Sequence, residues 1–405
     1  MKNLLLILSL VITASPAFAS RARLEALGEG KDGSYYIQDD RDIFLNPADI
    51  TMYKKKLFLE LGGATNAADT TGASVAQGGF INTFGDFTYG LYLDHSLDRF
   101  DNLITATKGI LGGSGFSTLT MPDHTVDFFF GGETSSLKYG ANVFWAGSQA
   151  ESSTGAGLVT NNTASVFGVR AGVILDRLQV FTTIGILADS KTALTGQTTD
   201  ADLKGKVSVD AAATYSMDDM TYFAKFTSFG ADAKGGSLAS GTTYTPTTMA
   251  YGIGAGWKHE ASKSITMFSR VGIDFETDEL KVVATGAGSD VSEKFYDIPL
   301  TLGAEAAATS WLKVRGSIQH SLFGQASSFT GTSTTKNSLD GLSSVAAGLG
   351  FNFGDLSIDG LLAASVGSAP SVNSVTATQM GNFVNSTAAF GFGSMLTRVS
   401  LTYNF

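Results

Sequence analysis

From residue 54 to its last residue, this chain is written in period two. Apolar and polar residues alternate through one segment after another, which puts them on opposite faces of β-strands. The final segment is the clearest case. Thr397, Val399, Leu401, Tyr403 and Phe405 share one face, and Arg398, Ser400, Thr402 and Asn404 share the other. Two kinds of connection separate the segments. Short ones fall at 85–86, 133–136, 175–177, 217–219, 260–263, 308–310 and 354–355. Long ones, rich in Gly, Ser, Thr and Asp, fall at 64–74, 97–123, 148–161, 188–203, 230–246, 277–293, 324–340 and 367–390. Short and long alternate without exception. Fifteen connections of this kind imply about 16 strands, with 14 and 18 as the neighbouring counts. The expected fold is therefore all-β: a transmembrane antiparallel β-barrel with short periplasmic turns at one rim and long extracellular loops at the other.

Composition agrees. The chain has 48 Gly, 6 Pro and no Cys, so no disulfide framework or thiol chemistry is available. After the first residues, no apolar run is long enough to cross a bilayer as a helix, and a membrane protein without such runs must cross with strands. A soluble sandwich or propeller would bury its apolar faces in a core. Here those faces carry Tyr89, Tyr139, Trp145, Tyr215, Tyr251, Trp257, Tyr296, Trp311 and Tyr403 near strand ends, as interface girdles do. At the other terminus, Lys2, the apolar run 4–14 and Ala17-Phe18-Ala19 form the three regions of a secretory signal peptide. The expected organisation is a signal peptide at 1–19, an N-terminal segment at 20–53 and a barrel at 54–405. The net charge of -10 disfavours nucleic acid as a partner.

The polar face of the strands carries both signs of charge. The acidic residues expected there are Glu60, Asp94, Asp127, Asp210, Asp274, Asp297, Glu305 and Asp359. The basic ones are Lys138, Arg170, Lys225, Lys258, Arg270, Lys313, Arg315 and Arg398. An Arg or Lys facing lipid at midplane costs about 2–4 kcal/mol, so these residues must meet water or one another. Sixteen strands leave room for an aqueous channel, and all sixteen residues are expected to line it. The long loops add Asp69, Glu151, Asp189, Asp200, Asp202, Asp232, Asp278, Glu279, Asp290 and Asp340. A negative mouth predicts weak cation preference. In the loop 97–123, Leu97, Phe100, Leu103 and Ile104 have helical spacing. This fits either a helical turn at the surface or a segment folded into the lumen as a constriction.

Residues 20–53 do not alternate. Residues 22–27 predict a short helix ended by Gly28. Asp39 and Asp40 then precede Ile43-Phe44-Leu45-Asn46-Pro47-Ala48. An acidic residue shortly before an Asn-Pro-Ala motif that leads into the first strand resembles the N-terminal region of the long-chain fatty acid transporter family. That resemblance implies a hatch inside the barrel, with Asp39, Asp40, Asn46, Pro47 and Ala48 as candidate plug residues. The family has 14 strands and this chain reads as nearer 16. The layout as a whole resembles Gram-negative outer-membrane porins, and a C-terminal strand ending on Tyr403 and Phe405 resembles their assembly signal.

The four histidines, His95, His124, His259 and His320, lie beside no nucleophile on the same strand face. No spacing suggests a metal site, a hydrolase triad or a cofactor, and the histidines read as rim residues. The sequence thus predicts a non-enzymatic outer-membrane porin for small hydrophilic solutes and ions. Its expected partners are outer-membrane lipid, lipopolysaccharide and the barrel assembly machinery, and self-association is compatible with the pattern. Two alternatives remain: a hydrophobic-substrate transporter with an N-terminal hatch, and a structural or adhesive barrel with a blocked lumen.

Overall fold

The computed structural model describes residues 20–63, 74–97, 100–101, 103–104, 107–108, 116, 119–122, 124–153, 159–194, 200–235, 242–283, 291–330, 333–338, 343–366 and 398–405. The expected signal peptide and the acidic loop residues Asp69, Asp290 and Asp340 lie outside them. Eighteen strands form one antiparallel sheet. They are β1 (Lys56–Gly63), β2 (Ser74–Phe84), β3 (Phe87–Leu93), β4 (His124–Glu133), β5 (Lys138–Ser153), β6 (Val159–Leu175), β7 (Leu178–Leu194), β8 (Ala201–Gly205), β9 (Ser208–Met217), β10 (Met220–Lys234), β11 (Thr243–Ser262), β12 (Ile265–Val283), β13 (Val291–Ala307), β14 (Leu312–Thr330), β15 (Ser333–Ser338), β16 (Ser343–Phe353), β17 (Leu356–Val366) and β18 (Arg398–Asn404).

Two pairs of these strands are single staves. β8 and β9 both pair with β7 and β10. β15 and β16 continue one register along β14, from Gln325↔Ser338 to His320↔Ser343. Sixteen staves result. β1 closes the sheet by pairing with both β2 and β18, so every stave has two neighbours and no edge meets lipid. Phe405 donates its N–H to the Lys55 carbonyl at 3.0 Å, which ties the last residue to the entry of β1.

Alternation does what the sequence implies. In β1, Leu57, Leu59 and Leu61 are 41–49% exposed on the outside, while Phe58 and Glu60 are 8% and 4% exposed on the inside. Tyr89, Trp145, Tyr215, Tyr251, Trp311 and Tyr403 also face out. All seven short turns overlap the positions the sequence gives them, the one expected at 260–263 falling at 263–264. Five of the long connections, 148–161, 188–203, 230–246, 277–293 and 324–340, are shorter than expected, because the strands run on. β11 has 20 residues, whereas about 9–11 cross a bilayer. Above the membrane both faces of a stave meet water, so apolar alternation stops while the hydrogen-bonded ladder continues. Glu151, Asp189, Asp202, Asp232, Asp278 and Glu279 consequently belong to strands. Asp202, Asp232 and Glu279 pair with Lys204, Lys206 and Lys281, and Asp200 pairs with Lys191.

The candidate functional site inside the barrel

Residues 20–53 pack inside the barrel. They begin with helix α1 (Arg21–Ala26), which ends as expected at Gly28 with φ +79, the left-handed position favoured after a helix. Two short 3-10 helices follow, η1 (Asp40–Phe44) and η2 (Pro47–Met52). Each capping residue has a clear task. The Asp39 carboxylate accepts the Arg41 N–H at 3.1 Å, and Asp42 accepts the Asp39 N–H at 2.8 Å. Asn46 accepts the Ala48 N–H at 3.1 Å, and Pro47 occupies the first helical position, where a missing N–H costs nothing. The Asn-Pro-Ala motif is thus a helix start. Asn46 also donates from Nδ2 to Gln179 on β7 at 3.0 Å.

The barrel wall is shaped to receive this segment. Gly140 on β5 faces the Pro47 carbonyl, and Gly172 on β6 faces the Asn46 amide. A Cβ at either glycine would overlap the motif. Three apolar clusters complete the seat. Ile43, Phe44, Ile50 and Tyr53 meet Phe58, Ile81, Tyr92 and Phe129 of β1–β4. Leu24, Leu27 and Ile37 meet Phe268 of β12. Ala22 and Ala26 meet Leu361 of β17. Tyr35 stacks on Phe223 of β10 at 5.0 Å and on Phe181 of β7 at 6.2 Å. Each large buried side chain contributes about 1.5–3 kcal/mol, so this is a packed interface.

The inner charges are largely used to hold the segment. Arg41 donates to Glu60 at 3.3 Å and to the Tyr92 hydroxyl at 2.9 Å, and its guanidinium lies 4.3 Å from the Phe44 ring. Arg23 bridges Asp39 at 2.8 Å and Glu305 at 3.1 Å. Arg270 reaches Glu29, and Arg398 reaches Glu25. Others pair within the wall: Arg170 with Asp127 at 2.6 Å, Lys225 with Asp274 at 2.8 Å, Lys313 and Arg315 with Glu305, and Arg315 with Asp359. Asp297 accepts from Ser321. Lys138, at the start of β5, and Lys258 sit near the short-turn rim. Asp94 lies beyond the end of β3, at φ 60, beside His124. The sequence leads one to expect a charged aqueous lumen; residues 20–53 occupy part of that lumen. The charges do face inward, but most of them meet a counter-charge rather than water.

The candidate plug residues Asp39, Asp40, Asn46, Pro47 and Ala48 are all buried. Burial pushes the Asp40 and Asp42 carboxyls well above the usual carboxylate range and raises Asp49 to about 7. The same desolvation lowers His95. His95 is not a rim residue. The chain turns inward after β3, and the His95 ring stacks on Phe44 at 3.9 Å and bonds Asp32 at 2.9 Å. No sequence pattern distinguishes it from the other three histidines.

The inward turn carries the next segment with it. Phe100, Leu103, Ile104, Phe116 and Leu119 are buried against Phe144, Ala146, Ala164, Val166, Leu203, Ala231 and Ala233, on the inner faces of β5, β6, β8 and β10. Helical spacing here marks a lumenal element, the second of the two readings of this loop. Between it and the N-terminal segment lies a cavity of about 520 Å³. Tyr35, Phe44, Leu45, Phe100, Leu103, Phe144 and Phe181 form its apolar side. Asp210, Glu276, Asp278, Glu279 and Glu293 line it as well. Nothing in the sequence pattern signals this cavity, because its walls come from residues far apart in the chain.

No family model and no curated protein matches the sequence. Solved structures of similar layout include a Pseudomonas aeruginosa FadL homologue, with 13% identity, a TM-score of 0.41 and coverage of 96% of this chain and 98% of that one. The toluene transporter TbuX of Ralstonia pickettii has 12% identity, a TM-score of 0.37 and coverage of 95% and 98%. The CymD monoaromatic hydrocarbon channel has 11% identity, a TM-score of 0.37 and coverage of 95% and 97%. At this distance the likenesses assign no activity, and the site must be read from its own geometry.

Proposed function

We propose that this transmembrane barrel is an outer-membrane transporter for small apolar molecules, closed by its N-terminal segment, and not an open diffusion porin. One observation carries the reading: residues 20–53 are packed into the lumen directly beneath a cavity with one aromatic side. A general porin needs a continuous water path. A site that selects apolar solutes needs a concave, largely dry surface with a few placed polar groups. The polar side here is acidic. The cations that line the cavity, Arg170, Lys206 and Lys225, are each held by a carboxylate, Asp127, Asp232 and Asp274. The substrate class this favours is apolar with a neutral or cationic polar end, in contrast to a fatty acid.

Binding of a matched pair tests this. 4-Phenylbutanol and 4-phenylbutyrate should be titrated into the mature chain, with quenching of intrinsic fluorescence as the readout. The alcohol should bind saturably and the carboxylate roughly tenfold or more weakly, as like-charge juxtaposition requires. Phe181→Asp should remove binding of the alcohol. Absence of saturable binding by the alcohol would defeat the reading.

A further inference from the structure

We infer that the first residue of the mature protein is Ser20 and that its α-ammonium group is a structural ion, seated on the buried carboxylate of Asp40. The inference is independent of what the barrel transports. Ser20 is 3% exposed and Asp40 is 2% exposed. The Ser20 backbone N–H donates to Asp40 Oδ1 at 3.0 Å, and the Ser20 hydroxyl donates to Asp359 Oδ2 at 3.2 Å. The other Asp40 oxygen accepts from the Thr402 hydroxyl at 3.5 Å. Lys56 attracts the Asp40 carboxylate as well, yet burial and the neighbouring Asp39 outweigh it and keep that carboxyl well above its ordinary range. A carboxylate buried to this degree calls for a counter-charge in contact with it.

The network that runs through Ser20 gathers buried carboxylates and cations from the N-terminal segment and the wall. Hydrogen bonds and ion pairs link Asp40 to Ser20, Ser20 to Asp359, Asp359 to Arg315, Arg315 to Glu305 and Glu305 to Arg23. They then link Arg23 to Asp39, the neighbour of Asp40. With Lys313 also on Glu305 and Lys56 attracting Asp40, these groups are four carboxylates and four cations. Arg23, Arg315 and Lys313 pair with the other carboxylates, whereas an ammonium on Ser20 would sit at the atom that already donates to Asp40 at 3.0 Å.

The backbone carries a second sign. Ser20 has φ 84, a value that L residues other than Asn and Asp rarely adopt and that costs about 1–3 kcal/mol. That angle exists only while an acyl group is attached to the Ser20 nitrogen. Hydrolysis of the Ala19–Ser20 bond by a signal peptidase consumes one water. It leaves a carboxylate on Ala19 and an ammonium on Ser20, and removes the constraint. The cleavage expected from Ala17-Phe18-Ala19 would thus put a charge on the atom that already faces Asp40.

The experiment takes protein exported through its own signal and purified from membranes. Intact mass should give Ser20 as the first residue; a different first residue overturns the inference. The α-amine is then acetylated at pH 7 in the folded barrel and in denaturant. An ammonium seated on a carboxylate holds its proton more tightly, and it should react about a hundredfold more slowly when folded. Asp40→Asn should remove most of that protection. Equal rates in the folded and denatured protein would overturn the proposal. Should Asp40→Asn not assemble, insertion of two alanines before Ser20 moves the ammonium away while keeping Asp40. It should loosen the segment, read as faster maleimide labelling of a Thr51→Cys reporter, and an unchanged rate would again overturn the proposal.

Discussion

Arg23 is the residue whose loss should most clearly unseat the N-terminal segment. It is 8% exposed and joins three parts of the molecule: its own helix α1, the Asp39 cap of η1, and Glu305 on β13. Arg23→Ala leaves Glu305 with Lys313 at 3.1 Å and Arg315 at 2.5 Å. Asp39, fully buried, loses the guanidinium at 2.8 Å. Removing one partner of such a buried pair costs about 3–5 kcal/mol. The barrel ladders are untouched, so the cost falls on docking of residues 20–53. The population of the undocked form should rise by roughly two to three and a half orders of magnitude. The chain has no Cys, so Thr51→Cys, at a site only 4% exposed, provides a clean reporter. Maleimide labelling of that introduced thiol should be slow in the otherwise unaltered chain and faster by that factor with Arg23→Ala. A companion Asp39→Asn, which removes the stranded charge, should recover part of the loss. Equal labelling rates with and without Arg23 would refute the reasoning that this ion pair holds the segment.

Further outcomes follow from the same interface. Gly140→Val places side-chain atoms where the Pro47 carbonyl lies; it should speed labelling of the Thr51→Cys reporter by at least about tenfold while leaving heat-resistant barrel mobility on gels unchanged. The seat should also loosen as pH rises. Asp49 is buried with a pKa raised to about 7. Its neutral form is favoured by the docked state, so that contribution is complete below the ordinary carboxylate pKa and is lost as pH passes through about 7. Accessibility of the same reporter thiol, corrected for the intrinsic pH dependence of labelling, should therefore rise between about pH 5 and pH 8, and Asp49→Asn should flatten the rise.

Much of the barrel was legible because period-two alternation is a direct record of which face meets lipid. Leu57 and Glu60 in β1, and Tyr403 and Ser400 in β18, fall on the sides that the pattern assigns. The same pattern cannot say what the inner face meets. Arg398 reads as a pore charge, yet its partner is Glu25, and Arg270 finds Glu29. Both partners lie in a segment with no periodicity of its own. Where alternation fades, as in the polar upper part of β11, strand reads as loop, since both faces there are wet. The cavity depends on Phe44, Phe100, Phe144 and Phe181 converging from four places in the chain, and aromatic residues at those positions look like any others in a barrel. Asn46-Pro47-Ala48 was legible in part. Its pattern pointed to a hatch, whereas its physical task, a capped helix start resting on Gly140 and Gly172, emerges only from the folded chain.

The central claim is that the N-terminal segment closes this barrel. Single-channel conductance in a planar bilayer tests it most directly, comparing the mature chain with a chain lacking residues 20–53. The account predicts no steady ohmic steps from the mature chain and large open steps from the truncated one. Large ohmic steps from the intact mature chain would contradict it and restore the open porin.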